Sequence, residues 1–302
     1  MRGMTGAVLL RSAEVEVRGE RCDLLLYSED FSRVLPGMIR YTVELRAAGG
    51  VLYSYHTNTY EYPPGGMQAA RNVAMTAFFR LKEELPRKPD TFLLHPPEPL
   101  PGGRPRAPAA GAVVLQGSPR THGNSAALAA WVADRCGKAG VRSEVISPDK
   151  LAVEPCTGCY RCFNAGRCVI EDQMEEVVAA LDRARLIVVC TPVYTETVPA
   201  ALKAVVDRCQ ALRARRALAG VRDRGQVGLL FAVAGRKGPE NFECVRRVVG
   251  AFFTSLGVET AGEVLVDGVD DLTDIRAVAG WEEDAARGLS RALEGLGAAP
   301  RL

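Results

Sequence analysis

The chain has 302 residues, of which 47% are hydrophobic and 25% are charged, proportions that exclude a disordered, fibrous or collagen-like chain. It carries a formal net charge of +2, which favours neither a nucleic acid nor a membrane surface as a partner. No uninterrupted apolar run of about 18 residues, the length that a membrane-spanning helix needs, occurs in the sequence.

The first predicted domain, residues 1–95, has the pattern of strands followed by a helix. Alternation of apolar and polar residues predicts strands near Cys22–Tyr27, Tyr41–Leu45 and Val51–Tyr55. An apolar stripe from Met67 to Leu85 then predicts an amphipathic helix. We therefore expect a small α+β domain with the element order βββα. Its tyrosines are typical of an interaction or dimerisation module.

Residues 96–110 are rich in proline and glycine, and we interpret them as a linker. Beyond them, residues 111–302 alternate short apolar runs with helical stretches. The apolar runs, which predict strands, are Ala112–Gln116, Ser143–Ile146, Leu186–Cys190, Val227–Val233 and Val258–Val266. The helical stretches are Asn124–Ala139, Gln173–Arg183, Pro199–Arg215, Pro239–Leu256 and Leu272–Leu296. This alternation predicts an α/β domain with a doubly wound, five-stranded parallel sheet, for which 2-1-3-4-5 is one common strand order.

The loop after the first of these strands has the composition of a phosphate site. It contains the hydroxyls of Ser118, Thr121 and Ser125 and the cation of Arg120, and a predicted helix follows it directly. Helix N-termini attract phosphate because their N–H groups are unpaired. The loop lacks the lysine of an ATP-binding loop and the glycine pattern of a dinucleotide site, so a monophosphate fits better. The alternative is an ordinary capped strand-to-helix turn.

Three loops of this domain resemble those of the flavodoxin-like NADPH-dependent FMN reductase family. The residues Gly117-Ser118-Pro119-Arg120, with Gly123-Asn124-Ser125, resemble its FMN phosphate loop, and Thr191-Pro192-Val193-Tyr194 resembles the loop that lies against its flavin ring. A third and weaker similarity follows the fourth strand, at Ala234-Gly235. The resemblance implies a flavodoxin-like fold that binds FMN. The implied contacts are Ser118, Arg120, Thr121, Gly123, Asn124, Ser125, Pro192, Val193, Tyr194, Thr195 and Gly235.

Four of the nine cysteines lie close together, in what we call the cysteine segment, residues 155–172. Cys156, Cys159 and Cys162 are separated by two-residue gaps, and Cys168 follows. Two-residue gaps bring sulfurs to one side of a tight loop, which favours an iron–sulfur cluster. Zinc, or thiols without metal, remain alternatives.

The cysteine segment also resembles the compact cysteine motif of the iron–sulfur flavoprotein branch of the same family. That resemblance implies a [4Fe-4S] cluster held by Cys156, Cys159, Cys162 and Cys168, which exchanges electrons with FMN. It further implies a homodimer or homotetramer, NAD(P)H as a possible donor, and a ferredoxin-like or quinone electron partner. No side chain is expected to act as a catalytic acid or base, because the flavin carries the chemistry.

The sequence thus favours an FMN-dependent oxidoreductase or electron-transfer flavoprotein with an iron–sulfur cluster. Two alternatives stay open: an NAD(P)H-dependent FMN or quinone reductase without a cluster, and a non-catalytic redox sensor. An odd number of cysteines with no recognisable export signal leads us to expect a cytoplasmic protein without membrane or nucleic-acid partners. We expect the five scattered cysteines to be buried structural thiols, and residues 213–216 to form a solvated helix end.

Overall fold

In a computed structural model of the chain, residues 6–65, 68–93, 111–221, 224–272 and 274–294 are described. They form two compact units. The first contains the N-terminal residues to 104 together with residues 157–169 and 214–220, and the second contains the rest. Residues 157–169 of the cysteine segment therefore belong to the first unit, although in sequence they lie within residues 111–302. The predicted linker at 96–110 lies outside the described residues and stays a prediction.

The first unit is built on an antiparallel sheet with sequential strand order. Its strands are β1 (Ala7–Val17), β2 (Glu20–Asp30), β3 (Ile39–Ala47) and β4 (Gly50–Asn58), and its first helices are α1 (Ala70–Glu84) and α2 (Asp90–Leu93). One face of the sheet is apolar. Leu24, Leu26, Val43 and Leu45 lie in a core with Phe78 of α1. Because side chains alternate across a strand, the neighbouring residues lie on the opposite, polar face.

The predicted order βββα was wrong by one strand, because β1 precedes the three expected strands. β1 pairs with β2 along its length but lies at the edge of the sheet. Most of its side chains are exposed or half-buried, and only Val15 and Val17 are buried. The alternation of Ala13, Val15 and Val17 with Glu14 and Glu16 is a strand signal that the prediction overlooked.

The second unit contains a parallel sheet with the strand order β6-β5-β7-β8-β9. These strands are β5 (Gly111–Gln116), β6 (Arg142–Ile146), β7 (Leu186–Pro192), β8 (Val227–Val233) and β9 (Glu259–Val266). Numbered within this sheet, the order is 2-1-3-4-5, as the sequence predicted. The central strands β7 and β8 are buried almost throughout, because helices cover both faces of the sheet.

The remaining helices are α3 (Asn124–Lys138), α4 (Cys162–Ala165), α5 (Met174–Arg183), α6 (Ala200–Arg208), α7 (Gln210–Leu218), α8 (Glu243–Leu256), α9 (Val269–Leu272) and α10 (Trp281–Glu294). One face of the parallel sheet packs with α5 and α8, in a core that includes Leu115 and Val245. The other face packs with α3 and α10, in a core that includes Val114, Leu128 and Leu289. The fold is therefore an α/β doubly wound, flavodoxin-like architecture.

Three of the five helices expected in this domain are divided. The stretch predicted at 199–215 forms two helices that separate at Cys209, and the stretch at 239–256 begins with a short 3-10 turn. The last stretch, predicted at 272–296, begins at the last residue of α9 and contains a 3-10 turn and α10, with Gly280 at a φ of +80° immediately before α10. Apolar periodicity continues across such breaks, which is why it does not reveal them. Within the described residues, no helix is long and apolar enough to cross a membrane.

Candidate functional site

The loops after β5 and β7 lie at the point where the strand order reverses. From β5 the chain passes to β6 on one side, and it then returns to β7 on the other side. In open parallel sheets, ligands bind outside the carboxyl ends of the strands at such a switch point. The topology therefore places the two predicted flavin loops, residues 117–125 and 191–197, at the same edge of the sheet.

The loop after β5 is ordered by its own side chains. Ser118 is buried, and its Oγ accepts a hydrogen bond from the backbone N–H of Arg120 at 3.2 Å. The side chain of Gln116 donates to the Ser118 carbonyl oxygen at 3.1 Å and accepts from Ser147 at 3.2 Å. Arg120 and Thr121 are exposed at the surface of the loop. The loop thus has a fixed backbone with a cation and a hydroxyl on its outer side.

Ser125 is the most informative residue of this loop. It lies in the first turn of α3 and is buried, and its Oγ has no hydrogen-bond partner among the described residues. A buried hydroxyl without a partner costs about 1–3 kcal/mol, so such groups usually mark a missing water or ligand. An anion at the N-terminus of α3 would supply the acceptor that this hydroxyl lacks.

Gly117 and Asn124, near the two ends of this loop, constrain its conformation. A Cβ atom at Gly117 would lie 2.7 Å from Leu202 Cδ2 and 2.9 Å from Thr191 Oγ1, so a larger residue does not fit there. The Asn124 side-chain carbonyl accepts a hydrogen bond from the Ile275 N–H at 2.9 Å. Asn124 therefore connects the loop to the segment before α10. Gly123 precedes α3 as its N-cap, with an extended backbone.

The loop after β7 forms a tight two-residue turn. Tyr194 and Thr197 exchange two backbone hydrogen bonds, at 2.8 and 3.0 Å. The central residues Thr195 and Glu196 have φ values of +45° and +67°, where residues other than glycine are strained. The Val193 N–H donates to the Val233 carbonyl at 2.9 Å, which fixes the turn to β8. Tyr194, at the start of this turn, is 38% exposed.

Gly235, the third predicted flavin contact, lies directly after β8. Its carbonyl accepts a hydrogen bond from the Asp270 N–H at 3.3 Å, and any Cβ atom there would overlap the Asp270 carboxylate. The following loop is organised by Asn241, whose amide donates to the carbonyls of Arg236, Lys237 and Gly238. This loop begins at the carboxyl end of β8, the strand next to β7, so it starts at the same edge of the sheet as the other two loops.

The cysteine segment has a tightly curled backbone without disulfides. Gly158, Tyr160 and Gly166 have φ values of +66°, +55° and +71°. Cys156 is exposed, and Cys159, Cys162 and Cys168 are half-buried and belong to no disulfide among the described residues. The donor set has the chemistry of a four-thiolate site. However, no group of three or more His, Cys, Asp or Glu residues in the described part of the chain is arranged to hold a metal ion. The ligand set therefore stays a prediction.

Arg208 joins the two stretches that precede and follow Thr157–Val169, and sequence reasoning missed it. Its guanidinium donates to both carboxylate oxygens of Asp172, at 2.7 and 2.9 Å, and to the carbonyls of Glu154 and Ile170. The Arg208 and Asp172 side chains are only 1% and 8% exposed. Burial raises the pKa of Asp172, but the hydrogen bonds from Arg208 and from the N–H groups of Glu154 and Met174 outweigh it, and the net pKa is lowered.

Two expectations about side chains were wrong. Arg215 and Arg216 are only 5% and 4% exposed, so this part of residues 213–216 is buried rather than solvated, and Arg215 donates to the Gly166 carbonyl at 3.1 Å. The sequence offered one signal of this burial. Arg208 and Arg215 are seven residues apart, about two helical turns, and share a helical stripe with the buried residues Ala211 and Leu212. Of the scattered cysteines, Cys244 is exposed, while Cys22, Cys136, Cys190 and Cys209 are buried. Burial raises the pKa of Cys136 to about 11.

Comparisons with known proteins agree with the fold. The NADPH-dependent FMN reductase family matches residues 112–267, more than half of the chain. An iron–sulfur flavoprotein of Methanocaldococcus jannaschii is 34% identical over 41% of this chain and 62% of its own length. Another from Archaeoglobus fulgidus is 42% identical over 28% of this chain and 41% of its length. A second iron–sulfur flavoprotein of M. jannaschii is 31% identical over 46% of this chain and 68% of its length.

The fold and the loops at its switch point define a flavodoxin-like α/β protein. The chain belongs to the NADPH-dependent FMN reductase family, and within it to the iron–sulfur flavoprotein branch. It spans less than two thirds of the length of the first two relatives named above. The four strands β1–β4 precede the matched residues 112–267.

Proposed function

We propose that this chain is an FMN-dependent oxidoreductase that also carries an iron–sulfur cluster. FMN would bind at the switch point of the parallel sheet. The observation that carries the proposal is the buried Ser125 hydroxyl, which lacks a partner within the described residues although it lies at a helix N-terminus beside a phosphate-type loop. Membership of the FMN reductase family supports the same ligand.

The residues of the three loops would have distinct roles toward FMN. Ser125, Thr121 and the N–H groups of the loop after β5 would hold the phosphate, and Arg120 would neutralise its charge. Tyr194 and Pro192 would form one wall for the ring, and the backbone of Val193, Thr195 and Gly235 would face its polar edge. Bound FMN supplies hydride and single-electron chemistry, and the protein supplies position and exclusion of water.

The same proposal assigns the four thiols of the cysteine segment to a [4Fe-4S] cluster. The donor type and number fit, because such clusters take four cysteine thiolates. Positive φ values at Gly158, Tyr160 and Gly166 give the backbone the curvature that a compact ligand loop needs. Three relatives that are similar to parts of this chain are named iron–sulfur flavoproteins.

Binding of FMN is tested by comparing FMN with riboflavin, which lacks the phosphate. We expect Ser125→Ala to weaken FMN binding by about tenfold or more, because a hydrogen bond to a charged group contributes about 1.5–3 kcal/mol. Riboflavin affinity should not change. Ser255→Ala serves as the control, since that hydroxyl caps the Phe252 carbonyl in α8. Equal losses for both ligands would contradict phosphate binding at this loop.

The cluster is tested by anaerobic purification followed by iron and sulfide analysis. We expect about four irons per chain and a broad absorption shoulder beside the flavin bands. Cys162→Ser should remove most of the iron, whereas Cys244→Ser, which changes an exposed thiol outside the segment, should leave it unchanged. Flavin without iron in the unmodified protein would favour an NAD(P)H-dependent FMN or quinone reductase instead.

We further propose a homodimer or homotetramer that takes electrons from NAD(P)H and passes them to a ferredoxin-like or quinone partner. These proposals follow the resemblance to iron–sulfur flavoproteins. Light scattering of the purified protein tests the assembly, and a strict monomer would contradict it. Anaerobic flavin reduction by NADH and NADPH tests the donor.

A further inference from the structure

The polar face of the N-terminal sheet carries an ordered row of side chains across three strands. The strand register places Glu29 of β2 opposite Arg40 of β3, and Arg40 opposite Asn58 of β4. In the next row, Thr42 is opposite His56. All lie on the face opposite Leu24 and Val43 of the apolar core, and none of the proposed FMN contacts lies in this unit.

Asn58 uses its whole hydrogen-bonding capacity at this face. Its Oδ1 accepts from the N–H groups of Tyr60 and Glu61, both at 2.9 Å. Its Nδ2 donates to Asn164 Oδ1 at 2.8 Å and to the Tyr160 carbonyl at 3.2 Å. The side chain is fully buried. Asn58 therefore joins the turn after β4 to the backbone between Cys159 and Cys168.

Arg40 makes a second connection to the same stretch. It forms a buried ion pair with Glu29 at 2.8 Å, and its Nη2 donates to the Asn164 carbonyl at 2.7 Å. The Asn164 side chain in turn donates to Glu61 at 2.8 Å. Both amide groups of Asn164, the backbone carbonyl and the side chain, are thus bound by residues of the N-terminal strands and the turn that follows them.

Apolar contacts surround these hydrogen bonds. Phe163, which follows Cys162, is buried in a cluster with Leu35 and Met38. The rings of Tyr60 and Tyr160 have centroids 4.7 Å apart. Removing water from hydrogen bonds to a guanidinium strengthens them, and it makes the loss of one partner costly.

We propose that the N-terminal sheet is the seat that fixes the conformation of residues 157–169, with Arg40 and Asn58 as positioning residues for the cysteines there. We call this fixing of residues 157–169 by the N-terminal strands the seating, and it is argued from the contacts above. Its consequence for cluster binding rests on the proposed function. The proposal gives a role to the N-terminal strands, which lie outside the residues matched to the family.

Hydrogen exchange of the full-length, metal-free protein tests the seating. We expect Asn58→Ala to speed exchange of amides in residues 157–169 at least tenfold, while exchange in the β2–β3 core stays unchanged. Arg46→Ala is the matched control, because Arg46 lies on the same strand as Arg40, and its side chain, which pairs with Glu44, is 44% exposed. Unchanged exchange in Asn58→Ala, or equal acceleration in Arg46→Ala, would overturn the proposal.

Asn164→Ala approaches the same contacts from the cysteine side. It should also speed exchange in residues 157–169 alone. If both variants lose protection throughout the sheet, the network stabilises the whole unit rather than this stretch, and the proposal is wrong.

Iron uptake then separates the two proposals. If the unmodified protein binds iron, Asn58→Ala should retain less than half of it after anaerobic reconstitution, and Arg46→Ala should retain all. Equal iron in Asn58→Ala would overturn the positioning role. If the unmodified protein binds no iron but exchange responds as expected, the seating holds and the proposed cluster fails.

Discussion

At the scale of single residues, the structure depends on buried polar groups that the sequence marks only faintly. Alternation predicts which residues of β3 lie away from the apolar core, and it therefore places Arg40 and Thr42 on one face. It does not reveal that this face is buried, because its cover comes from residues more than 100 positions later. The same limit applies to Arg208, whose partners lie 36 or more positions away.

His56 should make the first unit sensitive to acid. Burial, together with the nearby charge of Arg40, lowers its pKa from 6.5 to about 3. Between pH 6.5 and about pH 3, the unfolded chain therefore binds a proton at His56 that the folded chain does not bind. The free energy of unfolding falls as the pH drops below 6.5. The expected loss is about 1.4 kcal/mol per pH unit once the pH is well below 6.5. Exchange protection in β2 and β3, measured between pH 5 and pH 7, reports it.

His56→Asn is the informative variant. Arg40 donates a hydrogen bond to His56 Nδ1 at 2.9 Å, and the side-chain oxygen of the new asparagine can accept in place of Nδ1 without titrating. We expect the variant to lose this part of the pH dependence. An identical pH profile in both proteins would show that His56 is not the group that titrates.

The ion pair between Arg208 and Asp172 should contribute strongly to stability. Asp172→Asn leaves a buried guanidinium without its counter-charge, and we expect it to lower the free energy of unfolding by about 3–5 kcal/mol. The control is Asp207→Asn on the same helix as Arg208, where the pair with Lys203 is 45% exposed on each side. That change should cost about 0.5 kcal/mol or less. Urea denaturation measures both.

The effect of Asp172→Asn should also depend on pH in a defined direction. The folded pKa of Asp172 lies below the ordinary value of 3.8. Its contribution is therefore complete above that value and is lost as the pH falls through the lower folded pKa. The difference between the two proteins should be constant from pH 5 to pH 8 and should narrow below pH 3.8. A difference that widens in acid would assign the stabilisation to another group.

At the scale of elements, burial decided what the sequence could predict. Strands buried on both faces, such as β7 and β8, are near-continuous apolar runs and were predicted to within two residues. The edge strand β1 was not predicted, although apolar residues and glutamates alternate in it from Ala13 to Val17. The loop after β5 was predicted to bind phosphate from its composition, and this stays a prediction. The left-handed turn at Thr195 and Glu196 was not predicted, because neither residue favours positive φ.

That turn should be a site where stability can be gained. Replacing Thr195 with Asn and Glu196 with Gly supplies the residues that such two-residue turns prefer. Relief of two strained backbone conformations should raise the free energy of unfolding by about 1–2 kcal/mol. The control Glu283→Gly, in the first turn of α10, should instead lower the free energy of unfolding, because glycine is a poor helix former and the change removes a favourable negative charge at the helix N-terminus. Thermal unfolding compares them, and a destabilised turn variant would show that the side chains of Thr195 and Glu196 matter more than their backbone.

At the scale of the whole molecule, order along the chain differs from membership of the two units. Residues 157–169 follow β6 in sequence yet belong to the first unit, as do residues 214–220. Periodicity describes each element, and it carries no information about which core an irregular segment joins. A segment with a buried Phe163 and a buried Asn164 must find its partners in three dimensions, and here the N-terminal strands and the loop between β2 and β3 supply them.

FMN should stabilise the second unit through mass action. A ligand that binds only the folded state at 100 times its Kd adds about 2.7 kcal/mol, which for a domain of this size raises the unfolding midpoint by about 5–10 °C. Riboflavin at the same concentration should give a smaller shift, because it lacks the phosphate that the loop after β5 would hold. In Ser125→Ala the shifts of the unfolding midpoint caused by FMN and by riboflavin should differ less than in the unmodified protein. Scanning calorimetry of the iron-free protein provides the measurement, and a midpoint that does not move with FMN would place the flavin elsewhere or exclude it.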